Sequence, residues 1–255
     1  MNKQGIIENE TPTPSAKQVG QHRLVLLDLF CGAGCAGEGY RRAGFDIVGV
    51  DINPQPNNPH TFIQGDALEY LRAHGHEYDV IHASPPCQTF TVYRNCRPGH
   101  KPKWPDMIEP TRQALVASGK HWVMENVPGA PLKDPVQLCG TSFGIRVRRH
   151  RLFEASFLID PVPCDHKRFT ARIFPGSTNR PNGRTVCNVG EYRVPLAVQK
   201  EHMQVDWNLT LSELSLGIPP AYTEYVGREF LKQNSSCETP SEARLSRNDG
   251  STSEI

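Results

Sequence analysis

A thiol directly behind two prolines, Ser84-Pro85-Pro86-Cys87, is the first place where residue type and spacing point to chemistry. Proline fixes its own φ and drives the preceding residue extended, so the pair makes a stiff mount. The mount follows Tyr78-Asp79-Val80-Ile81-His82-Ala83, the short apolar run of a buried strand. A thiol at a strand end suits nucleophilic attack, because sulfur both attacks well and leaves again. The plainer alternative is a small buried apolar residue, the common fate of a free cysteine.

A second constellation lies upstream. Gly32-Ala-Gly34-Cys-Ala-Gly37 has the G-x-G-x-x-G spacing between a strand and a helix. Alone it is a weak signal, since such turns also serve as packing points. Asp51 at the end of the next strand stands where an acid takes ribose hydroxyls, and Asp66 adds a carboxylate at the same sheet edge. No Gly-Lys-Ser/Thr follows, which argues against a phosphate-cradling loop. Asp28 and Phe30 precede the glycines where a nicotinamide site has apolar residues. An acid repels pyrophosphate and accepts hydrogen bonds from an amino group, which favours S-adenosylmethionine.

The elements that must position these residues alternate. Strands are read at 24–30, 46–51, 61–66, 78–84, 121–127 and 148–156, with helices after the first, third and fourth. That alternation predicts a doubly wound α/β domain with a mostly parallel sheet, ligands binding at the strands' carboxyl ends. The segment 157–205 is rich in Pro, Gly and Arg and shows no helical period, so an inserted subdomain is expected. A helical pattern returns at 210–232, interrupted at Pro219-Pro220, and completes the domain 22–156 from 206–232. The ends, 1–21 and 233–255, have the polar composition of disordered tails. The 255 residues, 37% hydrophobic with a net charge of +1, suffice for a full core and give no global argument for a nucleic-acid partner. No apolar stretch approaches the roughly 20 residues of a membrane span, and the polar start is no signal peptide. Eight scattered cysteines and no secretion signal point to reduced thiols in a cytoplasm.

The ordered set "DLFCGAG", "GD" at 65–66, "PPCQ", "ENV" and "RRHR", closed by "IPPAYTEYVG", resembles the motif series of cytosine-5 DNA methyltransferases, above all compact phage and prophage members. The resemblance covers 24–155 and 208–230. It implies a Rossmann-like fold, S-adenosyl-L-methionine as cofactor and a cytosine flipped from double-stranded DNA. It implies that Cys87 adds to carbon 6 and that Glu125 holds the cytosine's Watson–Crick edge. Arg149 and Arg151, alternating on one strand face, contact the carbonyl and the catalytic loop. For the cofactor it implies Asp28, Phe30, Gly32, Gly34, Asp51, Ile52, Asp66 and Pro85. For DNA it implies Gln88, Thr89, Arg94 and Arg97, in or beside a loop that closes over the substrate, with Arg172, Arg180 and Arg184 in the insert. The chain departs from the pattern at Cys35, where glycine is usual, at Val147, where glutamine is usual, and at Leu216, where asparagine is usual. Asp51 replaces the commoner glutamate.

Residues 140–200 hold eleven Lys or Arg against four acids, and 94–103 add four more cations without an acid. Charge gathered near one cleft is what phosphate contacts need, so the insert is read as a target-recognition region for a short sequence. Cys164, His166, Cys187 and His202 match no common zinc spacing, and no metal is expected. A monomer is expected, and the sequence leaves open a paired restriction endonuclease. Two alternatives stand beside the leading one: RNA as the substrate, or a DNA-binding protein of the same fold without turnover.

Overall fold

In the computed structural model, five short apolar runs become parallel strands. The structure describes residues 23–90, 105–167, 171–172, 185–186, 189–190, 192 and 194–235. The strands are β1 (Val25–Leu29), β2 (Asp46–Asp51), β3 (Thr61–Gln64), β4 (Val80–Ala83) and β5 (His121–Asn126). Two more, β6 (Val136–Cys139) and β7 (His150–Ala155), complete a seven-stranded sheet of order β3-β2-β1-β4-β5-β7-β6. β7 runs antiparallel to both its neighbours.

Alternation within the strands feeds two cores. Leu26 points into one with Tyr40, Phe45, Val123 and Tyr222, while Leu27 and Leu29 point into the other with Leu68, Leu115 and Met124. Helices α1 (Cys35–Ala43), α2 (Ala67–His74) and α3 (Ile108–Ala117) connect the strands. Near the C-terminus come α4 (Leu196–Met203), α5 (Leu211–Leu216) and α6 (Pro220–Ser235). This is the expected doubly wound, mostly parallel sheet. Strand order reverses between β1 and β4, the switch point where such sheets leave a crevice.

Several boundaries differ from the sequence reading. The strand read at 148–156 begins only at His150, so Arg149 lies just before it rather than on a shared strand face with Arg151. The third strand stops at Gln64, and Asp66 instead caps α2, its Oδ1 accepting from Leu68 N and Glu69 N at 2.9 Å each. β6 was not read because its four residues follow Pro135 and carry no run of their own. α4 falls inside the segment read as lacking helical period, and α6 runs to Ser235, past the boundary set for the tail. The two-residue strands β8 (Ala171–Arg172) and β9 (Thr185–Val186) pair in parallel. Both terminal tails otherwise lie outside the described residues.

The C-terminal helix docks on α1 because two backbones touch. Thr223 Oγ1 donates to Ala36 O at 2.7 Å, joining α6 to α1. A Cβ on Gly39 would lie 2.0 Å from Thr223 Oγ1 and 2.1 Å from the Pro220 carbonyl oxygen. A carbonyl cannot swing aside as a long side chain can, so only glycine fits. Gly39→Ala should therefore destabilise the protein by about 1–3 kcal/mol or more, as overpacking does. Gly65→Ala, where a Cβ meets nothing within 4 Å, should stay close to the parent in a thermal melt. Equal melting temperatures for the two variants would contradict the close α1–α6 contact.

Candidate functional site

The ends of β1, β4 and β5 and the segment around α5 enclose a cavity of about 320 Å³. Register explains the convergence. Asp28 of β1 pairs with His82 of β4, and Ala83 of β4 pairs with Met124 of β5, so Cys87 and Glu125 emerge at one edge. Of the residues singled out in the sequence, Asp28, Phe30, Gly32, Asp51, Ile52, Asp66, Pro85, Cys87, Gln88, Glu125 and Arg151 all line this cavity.

The mount of Cys87 is tied down on three sides. Ser84 N donates to Leu29 O at 3.2 Å, Asn126 Nδ2 donates to Pro85 O at 2.9 Å, and Phe90 N closes a turn on Cys87 O at 2.9 Å. Behind it His82, fully buried, lies 3.0 Å from Tyr40 Oη and 2.9 Å from Ser84 Oγ. Burial drives the His82 pKa down to about 3, so the ring is neutral and acts as a spacer. Burial raises the Cys87 pKa, and Arg151 is the strongest influence the other way.

Glu125 is buried, and burial raises its pKa against the pull of Arg151 and Arg149. Arg151 Nε stands 2.9 Å from Glu125 Oε1. That Nε–H is not aimed at the oxygen, which has no hydrogen-bond partner among the described residues. The contact is thus an ion pair with a lone-pair direction left for another donor. Arg149 points elsewhere. Its Nη2 donates to Ser215 O at 2.7 Å, fastening the start of β7 to α5, and burial lowers its pKa to about 10.

On the β1 side, Phe30 adopts φ 59°, uncommon for a bulky residue, and its ring lines the cavity. Gly32 follows at φ 49° with open space where a side chain would be, and its N–H donates to Asp51 Oδ2 at 3.1 Å. Gly34 is not on the cavity wall. It packs on the Asn58-Pro59 loop, where a Cβ would come within 2.7 Å of Asn58 Oδ1. Asp28 is buried, and neither carboxylate oxygen has a hydrogen-bond partner among the described residues. Burial pushes its pKa up to about 8; the nearby Gly37 amide opposes the shift, while Asp51 and Glu125 add to it.

Other residues were missed or lie out of view. Glu213 lines the cavity, completes a capping box with Thr210 and accepts from Asn57 Nδ2 at 3.0 and 3.1 Å. Asn126 sits inside the "ENV" motif, yet its hold on Pro85 was not read from it. Leu216, 73% exposed, lines the cavity rim, and Cys35 is buried against Gly217, where a Cβ would meet its Sγ at 2.6 Å. Thr89 is half-buried beside the mount. Arg94, Arg97, Arg180 and Arg184 lie outside the described residues, and of Arg172 only the backbone in β8 is described. Cys187 is likewise outside them, and His202 is buried on α4 away from Cys164 and His166. No helix among the described residues is long and apolar enough to cross a membrane.

Comparison with known proteins follows the same direction. No family model matches the chain. It is similar to the type II methyltransferase M.AgeI of Thalassovita gelatinovora, 34% identical over 26% of this chain and 19% of that one. With M.AquIA of Picosynechococcus the identity is 28%, over 58% of this chain and 69% of that relative. With M.XorII of Xanthomonas oryzae it is 27%, over 81% and 44%. The chain thus spans less than half the length of two of these relatives. Among solved structures, a prophage-encoded E. coli protein described as a DNA modification methyltransferase aligns over 83% of this chain and 99% of that one, with a TM-score of 0.57 and 14% identity. The Entamoeba histolytica methyltransferase EhMeth aligns over 84% and 99%, with a TM-score of 0.55 and 13% identity. These likenesses show the fold, a Rossmann-like α/β fold.

The orphaned Asp28 carboxylate has a measurable signature. Its pKa rises on folding, from 3.8 to about 8. The folded state therefore binds a proton that the unfolded state releases, and stability is lost as pH rises through that window. Asp28→Asn removes the penalty. Urea unfolding of the ligand-free protein should show the variant gaining on the parent from pH 4 to pH 8 and levelling beyond. A stability difference independent of pH would contradict the buried, unpartnered carboxylate.

Proposed function

We propose that the protein is a DNA cytosine-5 methyltransferase using S-adenosylmethionine. The observation that carries the reading is the meeting of Cys87, Glu125 and Arg151 with four further carboxylates on one cavity wall. Among the described residues, Asp51, Asp66 and Glu213 face a single arginine there, while burial drives Asp28 and Glu125 toward their neutral forms, and this balance favours a cationic ligand over a diphosphate. S-adenosylmethionine carries a sulfonium and an ammonium, so the donor set fits it. Asp28 and Asp51, with the open backbone at Gly32, would hold its polar parts, while Phe30 and Ile52 flank its base. Leu216 offers no hydrogen bond at the rim, and weaker cofactor binding is the expected consequence.

The residues supply the rest of the chemistry. Cytosine carbon 5 is a poor nucleophile until a thiolate adds at carbon 6. The Cys87 sulfur makes that bond, and Arg151 stabilises the thiolate form against burial. Glu125, whose pKa the same burial raises, donates to ring nitrogen 3 and accepts from the exocyclic amine, so electron density gathers at carbon 5. The cofactor, when bound, supplies the methyl group as an electrophile. Water takes the carbon 5 proton, and the freed bonding pair restores the 5,6 double bond as the sulfur leaves with its own electron pair. Cys87 lines a concave cavity that a base stacked within a duplex cannot enter, which requires the cytosine to be flipped out. The basic segment 157–205 is assigned to reading the sequence, and the sheet to the reaction.

Transfer of a labelled methyl group from S-adenosylmethionine to duplex DNA, followed by nucleoside analysis, tests the proposal. The product should be 5-methylcytosine. Cys87→Ser should lower the rate by at least about 10³-fold while S-adenosylmethionine binding stays within a few-fold of the parent. An N-methylated base, or a fully active serine variant, would overturn the mechanism. Transfer to RNA with none to DNA would overturn the substrate.

A further inference from the structure

A second cluster of reactive side chains lies at the far edge of the sheet, apart from the cavity. Cys139, His150, Cys164 and His166 each direct a ligand atom to one point, and all four atoms lie within 4.8 Å of one another. We propose that these residues bind one zinc ion in a closed, four-coordinate Cys2His2 site.

The fold, not the sequence spacing, assembles the set. Cys139 ends β6 and His150 begins β7, and the two are register partners across the antiparallel pair. Cys164 and His166 come from the irregular segment that follows β7, two residues apart, with His166 in a turn. Cys139 Sγ lies 3.5 Å from His166 Nε2, and Cys164 Sγ lies 3.5 Å from His150 Nε2. A tetrahedron with Zn–S of about 2.3 Å and Zn–N of about 2.0–2.1 Å has S···N edges of about 3.5 Å. Both cross pairs already stand at that separation. Two thiolates with two imidazoles are the donor set that suits zinc rather than magnesium or calcium. Binding displaces the two thiol protons and leaves a site of zero net charge.

Outer contacts are in place as well. Thr141 Oγ1 is 3.2 Å from Cys139 Sγ, and Arg148 Nη2 donates to His166 O at 3.3 Å. The expectation of no metal came from grouping Cys164 and His166 with Cys187 and His202. Strand register supplies different partners. Such an ion would clamp the first residues of the insert to β7, the strand that carries Arg151. This inference does not rest on the enzymatic reading.

The test uses the untagged full chain, purified under reducing conditions, loaded with zinc and dialysed. Elemental analysis should find one zinc per chain. Replacement by cobalt(II) should give thiolate-to-metal charge-transfer and tetrahedral d–d bands. The exposed Cys164 can be changed without disturbing the core, so Cys164→Ser should weaken zinc at least tenfold and diminish the charge-transfer band. His166→Ala should weaken zinc likewise, and Cys87→Ser and Cys237→Ser should leave it unchanged. Absence of stoichiometric zinc, zinc indifferent to Cys164→Ser, or a Cys139–Cys164 disulfide in the reduced preparation would each overturn the proposal.

Discussion

Arg151 and Glu125 meet 2.9 Å apart with side chains only 12% and 6% exposed, and the site depends on that contact. Burial drives Glu125 and Cys87 toward their neutral forms, and the Arg151 guanidinium is the strongest influence opposing it at both. One cation thus opposes burial at a carboxyl and at a thiol together, with Arg149 adding to it. Losing either member of such a pair strands a charge in low dielectric, typically at about 3–5 kcal/mol. The pair also bridges β5 and β7, where the parallel sheet gives way to antiparallel strands. Chemistry and architecture share the same few atoms there.

The surrounding contacts keep the geometry from relaxing. Asn126 grips the Pro85 carbonyl, and neutral His82 spaces Tyr40 from Ser84, so the turn bearing Cys87 is braced from below. The distant C-terminal segment closes the other side. Glu213 reaches the loop after β2 through Asn57, Arg149 reaches Ser215, and Thr223 reaches Ala36. A segment over a hundred residues downstream of the glycine turn thus forms part of the cavity wall. Phe30 at φ 59° fits the same pattern, since a left-handed bulky residue persists only where its surroundings over-determine it.

Much of this was legible in the sequence because it rests on local signals. Apolar runs such as Val25–Leu29 marked the parallel strands, and the prolines marked the mount of Cys87. What stayed hidden depends on contacts across the sheet. β6 carries too few residues to show a period, so the pairing of Cys139 with His150 had no trace in spacing. Gly34 has the spacing of a ligand-binding glycine, but its φ of 82° serves the turn and its face serves the Asn58-Pro59 loop. Arg149 has the spacing of a strand-face partner to Arg151, yet the strand begins after it and its guanidinium goes to α5. Asn126 was invisible because its partner is a backbone carbonyl, which no motif records.

The central claim is that Cys87 makes a covalent bond to cytosine carbon 6 during turnover. Fluorine at carbon 5 cannot leave as a proton does, so a substituted substrate arrests the reaction after methyl transfer. The direct measurement is intact-mass analysis, with peptide mapping, of the protein incubated with S-adenosylmethionine and duplex DNA carrying 5-fluorocytosine. The account predicts a denaturation-resistant adduct, one DNA strand per chain, mapped to the peptide bearing Cys87. Methylation of ordinary DNA with no adduct on the fluorinated duplex, or an adduct on a different residue, would contradict it.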